Sequence, residues 1–165
     1  MVVPGTGVLL NNQMDDFSLD PGVPNAFGLV GAHANSVAPG KRPLSSMSPT
    51  LVTHNGKPVM TLGAAGGPTI ISQVTQVLLR YLAMGQSLEE AMQAVRIHHQ
   101  WSPNLLFIEN KMAEAVREGL REKGHVLKEM GSFGGTQAIV LEDGKFVPMT
   151  EPRVIERNRE EAAQN

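Results

Sequence analysis

The chain has 165 residues, 41% of them hydrophobic and 18% charged, which is enough apolar material for one compact domain or a substantial part of a larger one. Its 14 Lys and Arg against 16 Asp and Glu leave a formal charge of −2, which excludes the broad basic field that nucleic acid or an anionic membrane would require. There is no cysteine, so disulfides, a thiolate nucleophile and Cys-ligated metals are excluded as well.

The apolar runs fall well short of the roughly 20 residues of a membrane-spanning helix. The start, Met1-Val2-Val3-Pro4-Gly5-Thr6-Gly7, has neither the basic nor the apolar region of a signal peptide. Residues 1–48 are punctuated by Pro4-Gly5, Pro21-Gly22, Pro24-Asn25 and Pro39-Gly40, which predicts a long loop. Leu9, Leu10, Met14, Phe17, Phe27 and Leu29 are spread through it and argue that the loop is ordered by packing. Thr50–Thr53 and Pro58–Leu62 flank Asn55-Gly56, the strongest short-range signal for a β-hairpin. Gly63-Ala64-Ala65-Gly66-Gly67 then leads into Pro68, suited to a first helical position, and Ile70, Ile71, Val74, Val77, Leu78 and Tyr81 share a helical face. Gly85 ends that helix, and Ser87-Leu88-Glu89-Glu90 is a capping box opening a second helix over about 88–96. Leu105–Ile108 reads as a short strand. Met112, Ala115, Val116 and Leu120 predict a third helix stopping at Gly124, its charged face simply solvated. Thr136–Leu141, Asp143-Gly144 and Phe146–Met149 predict a second hairpin, and Arg153–Asn165 reads as a polar tail.

Three clusters could carry chemistry. Asn11-Asn12-Gln13-Met14-Asp15-Asp16-Phe17 gathers two carboxylates and three amides in seven residues. That density of acceptors suits an ammonium group, although composition alone favours an Asx-rich turn or a helix start. Lys41-Arg42-Pro43-Leu44-Ser45-Ser46-Met47-Ser48-Pro49 offers paired hydroxyls that could donate to a carboxylate, or an ordinary Ser/Pro loop. Gly66-Gly67 directly precedes a buried helix, where free N–H groups and the positive dipole end favour negative charge, as in an oxyanion hole. A glycine turn of this kind also serves purely steric ends. Neither phosphate-binding glycine pattern is present there. His98-His99 are adjacent and leave the chain in different directions, unlike an i, i+4 zinc pair, so they read as structural.

Taken in order, these motifs resemble the small subunit of the γ-glutamyltranspeptidase (glutathione hydrolase) family, N-terminal nucleophile hydrolases. The matching stretches are Leu9–Phe17, Pro43–Thr50, Gly66-Gly67, Arg96-Ile97-His98-His99-Gln100-Trp101 and Glu151-Pro152-Arg153, so the resemblance covers roughly residues 5–153. It implies an α+β fold, part of an αββα sandwich, with residues 1–153 as a partial small-subunit domain and 154–165 as the polar tail. It implies that Gln13 and Asp16 bind the α-ammonium of a γ-glutamyl group, and that Ser45 and Ser46 bind its α-carboxylate. Gly66 and Gly67 would stabilise the oxyanion. Pro21 to about Ala32 would be a lid loop, with Phe27 where a gate tyrosine often stands.

In this family the nucleophile is a threonine whose own α-amine is the general base. No threonine here stands in that motif, and Thr6 lies in a different context. The expectation is therefore the γ-glutamyl-binding and oxyanion portion of an acyl-transfer enzyme, inactive by itself, with no metal or organic cofactor. The partners implied are γ-glutamyl compounds such as glutathione and the large-subunit region, with self-association through exposed sheet edges and an apolar face. Relatives suggest a periplasmic or extracellular setting. A non-catalytic amino-acid-binding or partner subunit is the alternative. A serine hydrolase using Ser46, His98 and Asp16 is a third reading, without a nucleophile elbow to support it.

Overall fold

The computed structural model describes residues 2–131 and 133–163. The chain forms two compact units, Met1–Ser45 and Ser46–Asn165.

Frequent Pro and Gly keep the first unit from building ladders. Its described regular elements are two 3-10 helices, Gln13–Asp16 and His33–Asn35, and isolated bridges such as Val2 with Leu9 and Pro24 with Val30. Side-chain amides supply the order instead. Asn25 accepts from the backbone N–H groups of Phe27 at 3.0 Å and Leu29 at 2.9 Å, and donates to the Asp15 carbonyl at 2.9 Å. Phe17 is buried, as expected, whereas Leu9, Leu10 and Met14 are exposed. The loop is thus organised by polar closure around a small apolar anchor, and not by the spread of apolar residues along it.

The second unit runs β1 (Thr50–His54), β2 (Lys57–Gly63), α1 (Thr69–Leu78), α2 (Leu88–Gln93), β3 (Ile97–His98), β4 (Leu106–Glu109), α3 (Glu114–Glu122), β5 (Leu127–Met130), β6 (Gln137–Glu142), β7 (Lys145–Thr150) and α4 (Pro152–Ala163). Both predicted hairpins form. Asn55 and Gly56 take φ of 51° and 75°, and Asp143 and Gly144 take 49° and 74°, the positive pairs that a right-twisted hairpin requires. The hairpins join through β2 and β6 into an antiparallel sheet of order β1-β2-β6-β7.

Alternation along β2 and β6 turns Met60, Leu62, Ala138 and Val140 to one face. There they pack against Ile70, Val74 and Val77 of α1 and Leu88, Ala91 and Met92 of α2. The opposite face is bare: Leu51 is 64% and Phe146 76% exposed, with Ile139 and Leu141 beside them. Pro148 on the edge strand β7 removes one donor from that edge. A second sheet, β3-β4-β5, pairs β4 with β5 in parallel.

Several expectations change. Ile71 is exposed, so the buried stripe of α1 is narrower than its apolar residues suggest. The helix continues past Leu78 as a π turn, Leu79–Ala83, before Gly85 at φ 66°. The capping box forms, with Ser87 N–H donating to Glu90 at 2.8 Å and Glu90 N–H to the Ser87 hydroxyl at 3.2 Å, but α2 stops at Gln93. In α3 the inward residue is Arg117, while Val116 is exposed. Its guanidinium pairs with Glu129 and donates to the carbonyls of Met112 at 2.9 Å and Asn110 at 2.7 Å, so it closes the preceding loop. The stretch expected as a polar tail is helical as far as Ala163, starting at Pro152, with Arg153 buried.

Candidate functional site

Gly66 and Gly67 link β2 to α1 with φ of 140° and 58°. Gly66 is exposed and Gly67 half-buried, and neither amide N–H has a protein acceptor among the described residues. Their carbonyls are occupied: Gly66 O accepts from Thr69 N–H at 3.2 Å and from the Thr69 hydroxyl at 2.8 Å, and Gly67 O accepts from Ile70 N–H at 3.1 Å. The turn therefore faces inward with its acceptors and outward with its donors. Those donors stand at the N-terminal end of a ten-residue helix, where the dipole adds partial positive charge. A Cβ at Gly66 would fall 2.5 Å from the Thr69 hydroxyl, so a larger residue does not fit there. Such a pair of preorganised donors can stabilise charge developing on a carbonyl oxygen.

In the first unit, Gln13 and Asp16 open and close one 3-10 turn, whose geometry superposes positions i and i+3. One amide and one carboxylate thus project from the same edge. The Asp16 backbone is held by Asn35, whose Nδ2 donates to Asp16 O at 2.8 Å and whose Oδ1 accepts from Leu44 N–H at 2.9 Å. Asn35 thereby ties the Asp16 turn to the residue preceding Ser45. Sequence reasoning missed both Asn35 and Asn25, since a lone Asn in a loop gives no sign of which distant carbonyl it will meet. Ser45 is exposed, and Phe27, in the loop braced by Asn25, is half-buried. In the second unit Ser46 is half-buried and its carbonyl accepts from the Ser48 hydroxyl at 3.1 Å.

His98 is buried, with Nδ1 2.7 Å from the Ser72 hydroxyl and Nε2 3.0 Å from Gln100 Oε1. It also stacks on Phe107. Both ring nitrogens are engaged within the fold, which removes the base from the Ser46–His98–Asp16 reading. Among the described residues no group of three His, Asp or Glu side chains is placed to share a metal ion.

The second unit also holds a buried ionic cluster. Glu151 Oε2 pairs with Arg96 at 2.7 Å and its Oε1 with Arg153 at 3.0 Å; Arg153 Nε meets Glu109 at 2.6 Å. Glu109 also accepts from the backbone N–H groups of Arg96 at 2.8 Å and Phe133 at 3.2 Å. Burial pushes the Glu109 carboxyl up, but the Arg153 hydrogen bonds and charge and the two backbone donors outweigh it and hold it below the usual carboxylate range. For Arg153, burial lowers the pKa and its two carboxylates more than restore it, whereas burial dominates at Arg96 and lowers its pKa.

The family model for γ-glutamyltranspeptidase matches residues 1–160. The chain belongs to the γ-glutamyltranspeptidase family. It is 43% identical over 157 residues to a glutathione hydrolase proenzyme of Escherichia coli (strain K12), across 94% of this chain and 27% of that protein. It is 42% identical to the glutathione hydrolase proenzyme of Pseudomonas aeruginosa, across 93% of this chain and 28% of that protein. The chain thus spans little more than a quarter of the length of these curated relatives. Among solved structures, an acivicin-inhibited γ-glutamyltranspeptidase superposes with a TM-score of 0.86 at 42% identity, covering 93% of this chain and 84% of that one. The fold is accordingly the α+β arrangement of the N-terminal nucleophile hydrolases expected from the sequence, contributing sheet and helical layers to the αββα sandwich.

Proposed function

We propose that this γ-glutamyltranspeptidase-family chain supplies the γ-glutamyl-binding residues and the oxyanion donors of an enzyme that transfers the acyl group of γ-glutamyl amides such as glutathione. The observation that carries this reading is the Gly66-Gly67 turn, whose two free amide N–H groups stand at the start of α1. In this reading the Asp16 carboxylate and the Gln13 amide hold the substrate's α-ammonium, and the Ser45 and Ser46 hydroxyls donate to its α-carboxylate. A threonine hydroxyl attacks the δ-carbonyl carbon, its proton passing to the threonine's own amine. The carbonyl oxygen becomes an oxyanion held by Gly66 and Gly67. Collapse expels the amine, which takes up the proton, and leaves a γ-glutamyl ester. Water or an amino acid then attacks the ester and regenerates the threonine.

None of the 165 residues is assigned to that threonine. Residues 1–153 act in this reading as part of a small-subunit domain, with the large-subunit region as partner, and the chain by itself binds without turnover. Phe27 occupies the gate position, where lack of a hydroxyl weakens any hydrogen-bonded latch.

The test compares the 165-residue chain with the product of the complete reading frame that contains it. Both are given a chromogenic γ-glutamyl anilide and glutathione. Glutamate binding by calorimetry to both, with anilide cleavage by the complete product alone, supports the proposal. Glutamate binding with no cleavage by either preparation selects instead a non-catalytic amino-acid-binding subunit.

A further inference from the structure

A glutamine side chain carries two donor hydrogens and two acceptor lone pairs, and burying it is costly unless each is used. Gln73, on α1, is 0% exposed and uses all four. Its Nε2 donates to the Ala65 carbonyl at 3.1 Å and to the Thr69 hydroxyl at 2.9 Å. Its Oε1 accepts from Gly135 N–H at 3.0 Å and from the Thr136 hydroxyl at 3.0 Å. The orientation of the amide follows from chemistry, because a backbone N–H can only donate and a carbonyl can only accept. Oxygen must face Gly135 and nitrogen must face Ala65.

Ala65 and Thr69 are the two residues that bracket the glycine turn. Because the Thr69 oxygen receives a hydrogen from Gln73, its own hydrogen is directed to the Gly66 carbonyl. Ala65 is held a second time, its N–H donating to Gly135 O at 3.3 Å. Gly66 also lies so close that a Cβ there would stand 2.9 Å from Gln73 Nε2. On the other side, Thr136 N–H donates to Glu151 Oε2 at 3.0 Å, which anchors the hub to the buried ionic cluster.

We propose that Gln73 is the positioning residue of the oxyanion turn: ordered by Thr136, it draws the Ala65 and Gly66 carbonyls inward so that the Gly66 and Gly67 N–H groups are held pointing outward. The inference rests on reading those amides as oxyanion donors. Gln73 touches no substrate and acts only through the turn.

Gln73→Glu keeps size and shape but replaces the donor with an acceptor facing Ala65 O, and invites the Thr69 hydroxyl to turn away from Gly66. Thr136→Val deletes only the hydroxyl that orders the amide, and Thr136→Ser restores it. Gln76→Glu, on the same helix, is the control, since Gln76 bonds the Ser72 and Ile97 backbone and not the turn. In 15N relaxation of the chain, wild type, T136S and Q76E should keep the Gly66 and Gly67 N–H order parameters near the rigid value of about 0.85. Q73E and T136V should drop toward about 0.6.

In the complete enzyme Q73E should lower kcat by about 10- to 100-fold, with KM for the γ-glutamyl donor changed less than about twofold. Unchanged order parameters in a folded Q73E or T136V, or a turn already mobile in wild type, overturn the proposal; should Q73E not fold, T136V decides it. A loosened turn with undiminished kcat leaves Gln73 as the turn's positioning residue and overturns the oxyanion reading instead.

Discussion

Arg96 and Glu151 form a 2.7 Å ion pair in which the two side chains are 1% and 0% exposed, though they lie 55 residues apart in sequence. Removing Glu151 strands the Arg96 charge in a dry interior, whereas removing Arg96 leaves Glu151 paired with Arg153. Glu151→Ala is therefore expected to cost about 3–5 kcal/mol in a denaturant titration. The double variant Arg96→Met with Glu151→Leu should be less destabilised than Glu151→Leu alone, which leaves the Arg96 charge buried. A strictly additive double-mutant cycle would show that the pair is not coupled.

Acid should act on the same cluster through Glu109. Its carboxyl titrates below the usual carboxylate range in the folded chain, so between the folded and unfolded pKa values the unfolded state binds more protons and stability rises with pH. This contribution is complete above the unfolded value of about 4.3 and is lost as pH falls through the lower folded value. Glu109→Gln should flatten the acid limb of a stability-against-pH curve in that window. An acid limb as steep as in wild type would place the titration elsewhere.

Asn35 offers a test of the proposed amino-acid-binding residues that leaves their own side chains in place. Asn35→Asp keeps the acceptor for Leu44 N–H but puts an oxygen where the donor to Asp16 O stood. Glutamate affinity should fall about tenfold, equivalent to about 1.4 kcal/mol. Asp16→Asn, which removes the charge proposed to hold the ammonium, should weaken it at least as much. Calorimetric affinities within twofold of wild type for both variants would dissociate Asp16 from ligand binding.

The bare face of the β1-β2-β6-β7 sheet should make the isolated chain associate. Leu51, Ile139, Leu141 and Phe146 expose apolar surface across its strands. Sedimentation should give a weight-average mass that climbs with concentration above the 17.8 kDa monomer, together with binding of a hydrophobic dye. Phe146→Lys should reduce both. A dye-inert monomer at all concentrations would contradict this expectation.

Local chemistry determined much of this molecule. Asn55-Gly56 and Asp143-Gly144 specify their hairpins, because so few dipeptides tolerate two positive φ values in succession. Ser87 and Glu90 mark the start of α2 through reciprocal hydrogen bonds three residues apart. Gly66-Gly67 before Pro68 announced, for the same local reason, a pair of donors at a helix start that no described protein group accepts from. What the sequence left open are relationships whose free energy exists only once distant segments meet. A short run such as Leu127–Met130 has no strand identity until β4 lies beside it. Arg153 reads as the start of a solvated tail until Glu109 and Glu151 take it into the interior. Arg117 reads as one more surface charge until the Asn110 and Met112 carbonyls surround it. Gln73 is the sharpest case. Its position among apolar helix residues gave no cue to function, because a buried amide acquires a role only from partners at Ala65, Gly135 and Thr136 that the tertiary fold brings within 3.1 Å.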